Sequence, residues 1–135
     1  MSLFHPIAAP HLDRIAPPAA MPGGEAEVHG ANLDPLGRSL PYATIGDISA
    51  FVTLSRPTRA TVRIPEGAIT GDMVLYRNGV PSNPLNLRVA VPMAENLHPV
   101  ANPAVDAEGN VYATLSGSRG QAMPVSIFRI QRDFQ

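Results

Sequence analysis

The chain has 135 residues, a formal net charge of -1, and neither cysteine nor tryptophan. This length suits one domain, or one small domain with part of another, and the missing cysteine excludes disulfides, thiolate catalysis and cysteine metal sites. All ten basic residues are arginines scattered along the chain, which reads as a solvated surface and not as a phosphate track, so nucleic acid is not an expected partner.

Residues 1–10 carry two prolines and no periodicity, and are read as a lead-in; Met1-Ser2-Leu3 fits an appended start. No basic region followed by an apolar stretch stands at the N-terminus, so no signal peptide is read there. No apolar run approaches the ~20 residues that span a bilayer. Residues 11–18, with Leu12 and Ile15 ahead of a Pro-Pro break, suit a short edge strand. Gly23 and Gly24 then supply a tight turn. Beyond them Ala26 and Val28 alternate with Glu25, Glu27 and His29, the period-2 signature of a half-buried strand. Gly30 and Asn32 suit the turn or bulge that ends it.

Residues 34–46 read as a loop closing on a short strand around Tyr42 to Ile45. Residues 50–55 are β-rich and are broken by Arg56-Pro57-Thr58. In residues 59–64, Ala60, Val62 and Ile64 point inward, and Arg59 and Arg63 outward. Residues 73–77 form a strand, Asn78-Gly79 signals a turn with positive φ, and residues 85–91 alternate again. Fifteen prolines, about twice the usual ~5%, punctuate these runs. No sustained 3.6-residue period occurs, so little helix is expected.

Six or seven short strands with turn signals every 8–12 residues describe a β-sandwich. A small barrel is the structural alternative.

The order of landmarks carries a family likeness. Ile15-Ala16-Pro17, Pro22-Gly23-Gly24 and Val28-His29-Gly30-Ala31-Asn32-Leu33 resemble the opening of IPT/TIG domains. Val62-Arg63-Ile64-Pro65, Gly71 and Gly79-Val80-Pro81-Ser82-Asn83 are similar to later landmarks of that family. The resemblance covers residues 11–91. It implies an all-β, immunoglobulin-like (early-set) sandwich used for spacing, docking or dimerisation, with no catalytic residues.

After Val91 the texture changes. Residues 92–99 read as a linker. Residues 102–114, with Val105-Asp106, Gly109-Asn110 and Tyr112, resemble the first strand pair of an NHL-type or gluconolactonase-like β-propeller. Residues 125–130 would be the next strand, making residues 100–135 a partial first blade: a C-terminal β-hairpin extension. A two-stranded hairpin alone is marginal in water. Its order is therefore expected to come from packing on the sandwich or from pairing with a second copy.

Asp106, Glu108 and Asn110 alternate like calcium ligands, but the spacing of an EF-hand loop is missing. The bland alternative is a turn capped by Asp106, with Gly109 in the left-handed position. Ser116, Ser118 and Arg119 sit in a glycine-rich stretch without the lysine or following helix of a phosphate loop. They are read as a hairpin tip, or as a contact loop contributing two hydroxyls and an arginine. The four histidines lack paired zinc spacing, and Glu25 and Glu27 share a solvent face, unlike an acid/base pair. No catalytic, metal or cofactor-binding residue is assigned.

The expected role is a non-catalytic binding or spacer module whose partner is a following propeller or a second copy, a homodimer included. The alternative is the N-terminal fragment of a metal-dependent sugar-lactone hydrolase, in which a divalent cation would belong to further blades. That resemblance favours a secreted or periplasmic setting. Carbohydrate or cell-surface binding is a weaker third reading, because there is no tryptophan and aromatics make up only 5% of the chain.

Overall fold

The computed structural model describes residues 7–93, 103–114 and 127–132. The chain divides into two compact units, Met1–Val91 and Pro92–Gln135. The described residues form strands, turns and bends but no helix.

The first unit holds nine strands: β1 (His11–Ala16), β2 (Ala19–Ala20), β3 (Glu25–Ala31), β4 (Tyr42–Ile45), β5 (Ile48–Arg56), β6 (Arg59–Arg63), β7 (Gly71–Arg77), β8 (Val80–Pro81) and β9 (Leu85–Val89). Hydrogen bonding runs in the order β1-β3-β6-β5-β4-β7-β9-β2, with β8 on β7. Every pair is antiparallel except β2 with β9. This is an all-β, immunoglobulin-like sandwich. β2 and β8 exceed the six or seven strands expected; at two residues each, they are too short to show a period.

β5 belongs to both layers. Ile48 to Phe51 pair with β4, and Val52 to Arg56 pair with β6. At the changeover the register slips between Val52 and Leu54, a bulge of the kind that lets one strand turn a sandwich corner. The slip explains why Leu54 is exposed although the Ala50, Val52 alternation would bury it.

Strict alternation sets the core. Ala26 and Val28 from β3, Ala60 and Val62 from β6, and Ile64 just beyond it meet Ile45, Met73, Leu75 and Leu87 from the other layer. Burying a side chain of this class is worth about 1.5–3 kcal/mol. The N-terminal segment closes one edge by touching both layers. β1 pairs with β3, and beyond a cis Ala16–Pro17 bond β2 pairs with β9. The Asn83 amide completes the closure: its Oδ1 accepts from the Leu12 N–H at 2.7 Å and its Nδ2 donates to the Leu12 carbonyl at 2.9 Å. A side chain thus supplies the pairing that a neighbouring strand would give.

Two positions depart from the expected pattern. β3 continues through Gly30 to Ala31, and the chain turns at Asn32, whose φ is +57°. Gly30 is there for space: a Cβ would stand 1.8 Å from the His11 carbonyl oxygen of β1. Arg77 is the second, because it is not a solvated surface arginine. It shares the inward side of β7 with Met73 and Leu75 and is buried. Its Nε donates to the Asp34 carbonyl at 2.9 Å, Nη2 pairs with Asp34 Oδ1 at 3.1 Å, and Nη1 reaches the Ala8 carbonyl at 3.4 Å.

The second unit contains β10 (Ala104–Val105), β11 (Val111–Thr114) and β12 (Ile127–Ile130), antiparallel in that order. β10 and β11 fall in the strand pair read from residues 102–114, and β12 in the next strand read from residues 125–130.

Candidate binding surfaces

Period-2 alternation puts Tyr42, Phe51 and Tyr76 on the outside of their strands, and the register aligns them. Tyr42 lies directly opposite both Phe51 and Tyr76, and Tyr76 lies opposite Pro81. Opposed residues share a face, so a row Pro81–Tyr76–Tyr42–Phe51 crosses the outside of β8, β7, β4 and β5. The two tyrosine rings stack, with centroids 4.8 Å apart and planes within 5°. Phe51 has no aromatic partner among the described residues and is 81% exposed.

Next to Phe51 is an open cleft of about 360 Å³. Its apolar lining comes from Ile64 and Pro65 beside the Gly23 backbone, and its polar groups are Ser49, Arg63 and Glu66. The two glycines of the turn shape it. Gly23 N–H donates to the Ile64 carbonyl at 2.8 Å, and Ile64 N–H donates to the Gly24 carbonyl at 2.9 Å. Gly23 has φ +82°, and a Cβ there would lie 3.5 Å from Glu66 Oε1.

On the outer side of the β3-β6 layer, charges pair within β3 and across to β6. Glu27 contacts His29 at 2.6 Å and Arg59 at 3.6 Å, and Glu25 lies 3.9 Å from Arg63. Exposed pairs of this kind contribute about 0–1 kcal/mol each.

In the second unit, Asp106 organises a turn. Its Oδ1 accepts from the Asn110 N–H at 2.8 Å, and its Oδ2 accepts from Asn110 Nδ2 at 2.9 Å and from the Tyr112 hydroxyl at 3.1 Å. Gly109 takes φ +87° within that turn. Hydrogen bonding by the Asn110 side chain is the main influence on the Asp106 carboxyl. Together with the Asn110 backbone N–H and Tyr112, and against some desolvation, it holds the group below its ordinary value of 3.8. Both carboxylate oxygens are engaged by the protein's own donors, the arrangement of a side-chain-capped turn. Among the described residues no group of three or more His, Asp or Glu is placed to hold a metal.

Register also sorts the faces of β10-β11-β12. Val105, Val111 and Ile130 align in one row, and Ala113 aligns with Phe128 in the next. One face is therefore apolar at all five positions. Ala104, Tyr112, Arg129, Thr114 and Ile127 form the other.

Ser116, Ser118 and Arg119 lie outside the described residues. The aromatic row and its cleft were not singled out from the sequence. The outward placement of each ring is legible in the alternation of its own strand, but their meeting depends on register between strands, which no local pattern encodes.

No family model matches the chain, and no curated protein matches it. Among solved structures, the chain is similar to a crystal structure of gamma-CGTase from alkalophilic Bacillus clarkii, with 19% identity and a TM-score of 0.55. The likeness covers 61% of this chain and only 12% of the length of that protein. At that identity it bears on the all-β fold alone.

Proposed function

We propose that this chain is a non-catalytic immunoglobulin-like module of the IPT/TIG type that docks or positions a following β-propeller, or associates with a second copy. The observation that carries this reading is the apolar face of β10-β11-β12. Three short strands with Val105, Val111, Ala113, Phe128 and Ile130 on one side form half of a layered structure. Such a face is stable when a second layer covers it. The charged groups of the sandwich fit the same role: Glu25, Glu27, His29, Arg59 and Arg63 pair on an outer sheet face, and Arg77 is tied to Asp34.

Limited proteolysis combined with sedimentation velocity tests this. The apolar face should protect residues 103–132 in the intact chain, and a Phe128→Asp, Ile130→Asp double variant should lose that protection. Immediate removal of the segment from a monomeric chain would overturn the reading.

The second reading, the N-terminal part of a sugar-lactone hydrolase, is favoured by the strand order. Sequential antiparallel neighbours β10, β11 and β12 follow the pattern of a propeller blade. Under the main reading, this chain assayed for lactone hydrolysis with added calcium or zinc gives no turnover. Measurable turnover would overturn the module reading; the enzymatic alternative, whose cation would belong to further blades, is tested by the same assay on a chain extended by those blades.

A further inference from the structure

The composition argues against sugar binding, yet three of the seven aromatic side chains gather in a single row on one open face. The rings in that row are not equivalent. Tyr42 and Tyr76 each spend one face on the other. Phe51 ends the row without an aromatic partner and borders the cleft, so a flat apolar surface is available beside a concave one. A largely exposed phenylalanine that continues a row of outward rings and borders a cleft forms a contiguous exposed apolar patch, the kind of surface that marks contact sites.

The polar groups narrow the class of occupant. Arg63 supplies a cation and Glu66 an anion on the same cleft, with the Ser49 hydroxyl beside them. An anionic ligand would meet Glu66, and a cationic one would meet Arg63. A neutral ligand rich in hydroxyls suits both, since a hydroxyl donates to the carboxylate and accepts from the guanidinium. The electron-rich face of Phe51 suits the weakly positive C–H face of a saturated ring. The cleft volume, about 360 Å³, lies at the small end of the ~300–1,000 Å³ range of ligand sites. An aliphatic side chain of a protein partner would use Phe51 but offer no hydrogen-bonding group to Glu66, Arg63 or Ser49.

We propose that the Phe51 cleft is a carbohydrate subsite that takes a neutral pyranose unit of a glycan chain. The ring's C–H face rests on Phe51, and its hydroxyls are shared between Glu66, Arg63 and Ser49. Neighbouring strands are ~4.8 Å apart, so the tyrosine hydroxyls of the row extend the contact along the glycan. The subsite belongs to the sandwich, and a negative result here leaves the reading of the C-terminal sheet intact.

The test is a ¹H–¹⁵N NMR titration of the intact 135-residue chain with neutral hexasaccharides of glucose, xylose and N-acetylglucosamine. The expected result is saturable shifts at Ser49, Phe51, Arg63 and Glu66 with at least one glycan. Phe51→Ala should weaken binding at least tenfold, and Glu66→Gln and Arg63→Met severalfold each. Ile69→Ala, at another exposed apolar position, should leave it unchanged. Each variant's urea midpoint reports whether it remains folded, and because the three cleft variants are independent, the loss of one to unfolding leaves two. Absence of shifts with all three glycans would overturn the proposal. So would shifts that survive Phe51→Ala, or saturable binding of an acidic hexasaccharide in place of the neutral ones.

Discussion

Gly30→Ala isolates a constraint that has nothing to do with a left-handed φ, because Gly30 lies within β3, opposite the point where the β1 register shifts. The added Cβ would meet the His11 carbonyl oxygen at 1.8 Å and the His11 carbonyl carbon at 2.9 Å. Real contacts of this kind essentially never fall below 3.0 Å, so β1 and β3 must separate by at least 1.2 Å at this point. β1 cannot yield cheaply. The Leu12 backbone is gripped by Asn83 through bonds of 2.7 and 2.9 Å, and its side chain is in the core. Overpacking of a tight site costs about 1–3 kcal/mol. Releasing Leu12 instead forfeits most of the ~1.5–3 kcal/mol of its burial. Either route, with partial loss of the Asn83 pairing, gives an expected destabilisation of about 3 kcal/mol, measured by urea unfolding followed by far-ultraviolet circular dichroism. Gly79→Ala is the control: its φ is +80° but nothing lies within 4 Å of its Cβ, so it carries only the left-handed penalty of about 1–2 kcal/mol. Equal losses in the two variants would refute the steric argument.

Arg77→Met keeps the bulk on the inward side of β7 but removes three hydrogen bonds, two of them to Asp34. Because Asp34 can still reach water, the expected loss is about 2–4 kcal/mol by urea unfolding, with a smaller loss for Asp34→Asn; a neutral result for Arg77→Met would show that the cluster adds nothing net. For Asp106, the folded carboxyl titrates below 3.8, so its contribution to turn stability is complete above that pH and is lost as the pH falls through the lower folded value. The Gly109 and Asn110 amide signals should hold constant from neutral pH down to the region of 3.8 and move only below it, and Asp106→Ala should show the moved signals at every pH. A midpoint above 3.8 would contradict the hydrogen-bonded turn.

The legible parts of this fold are those fixed by neighbours in sequence. Ala26 and Val28 in β3, and Ala60, Val62 and Ile64 around β6, announce their inward side through strict alternation. Asn78-Gly79 announces its turn through positive φ at both residues. Features that depend on distant partners were hidden. β2 is two alanines whose strand character comes from lying beside Arg88 and Val89. Arg77 looks like any other arginine until Asp34 and the Ala8 carbonyl are placed around it. Gly30 resembles a strand terminator until β1 is laid across it. Its own dihedral carries no signal, because the constraint is another chain segment's carbonyl.

The same distinction bears on where recognition sits. Tyr42, Phe51 and Tyr76 lie on three strands, and each is an unremarkable outward residue of its own alternation. β5 makes their alignment possible. Its first half fixes Phe51 opposite Tyr42, while its second half, after the slip between Val52 and Leu54, pairs with β6 and carries the ribbon into the other layer. Phe51 therefore stands at the corner between the layers, near the β6 end that presents Arg63, Ile64 and Pro65. A one-residue change of register on either side of β5 would turn Phe51 or Arg63 inward and abolish the cleft. The bulge that folds the sheet into a sandwich is thus also what places an aromatic ring beside an arginine and a glutamate. A deletion of Thr53, the unpaired residue of the bulge, should leave Leu54 outward opposite Thr61 but remove the bend, and so disrupt the Phe51 cleft together with the layer crossing.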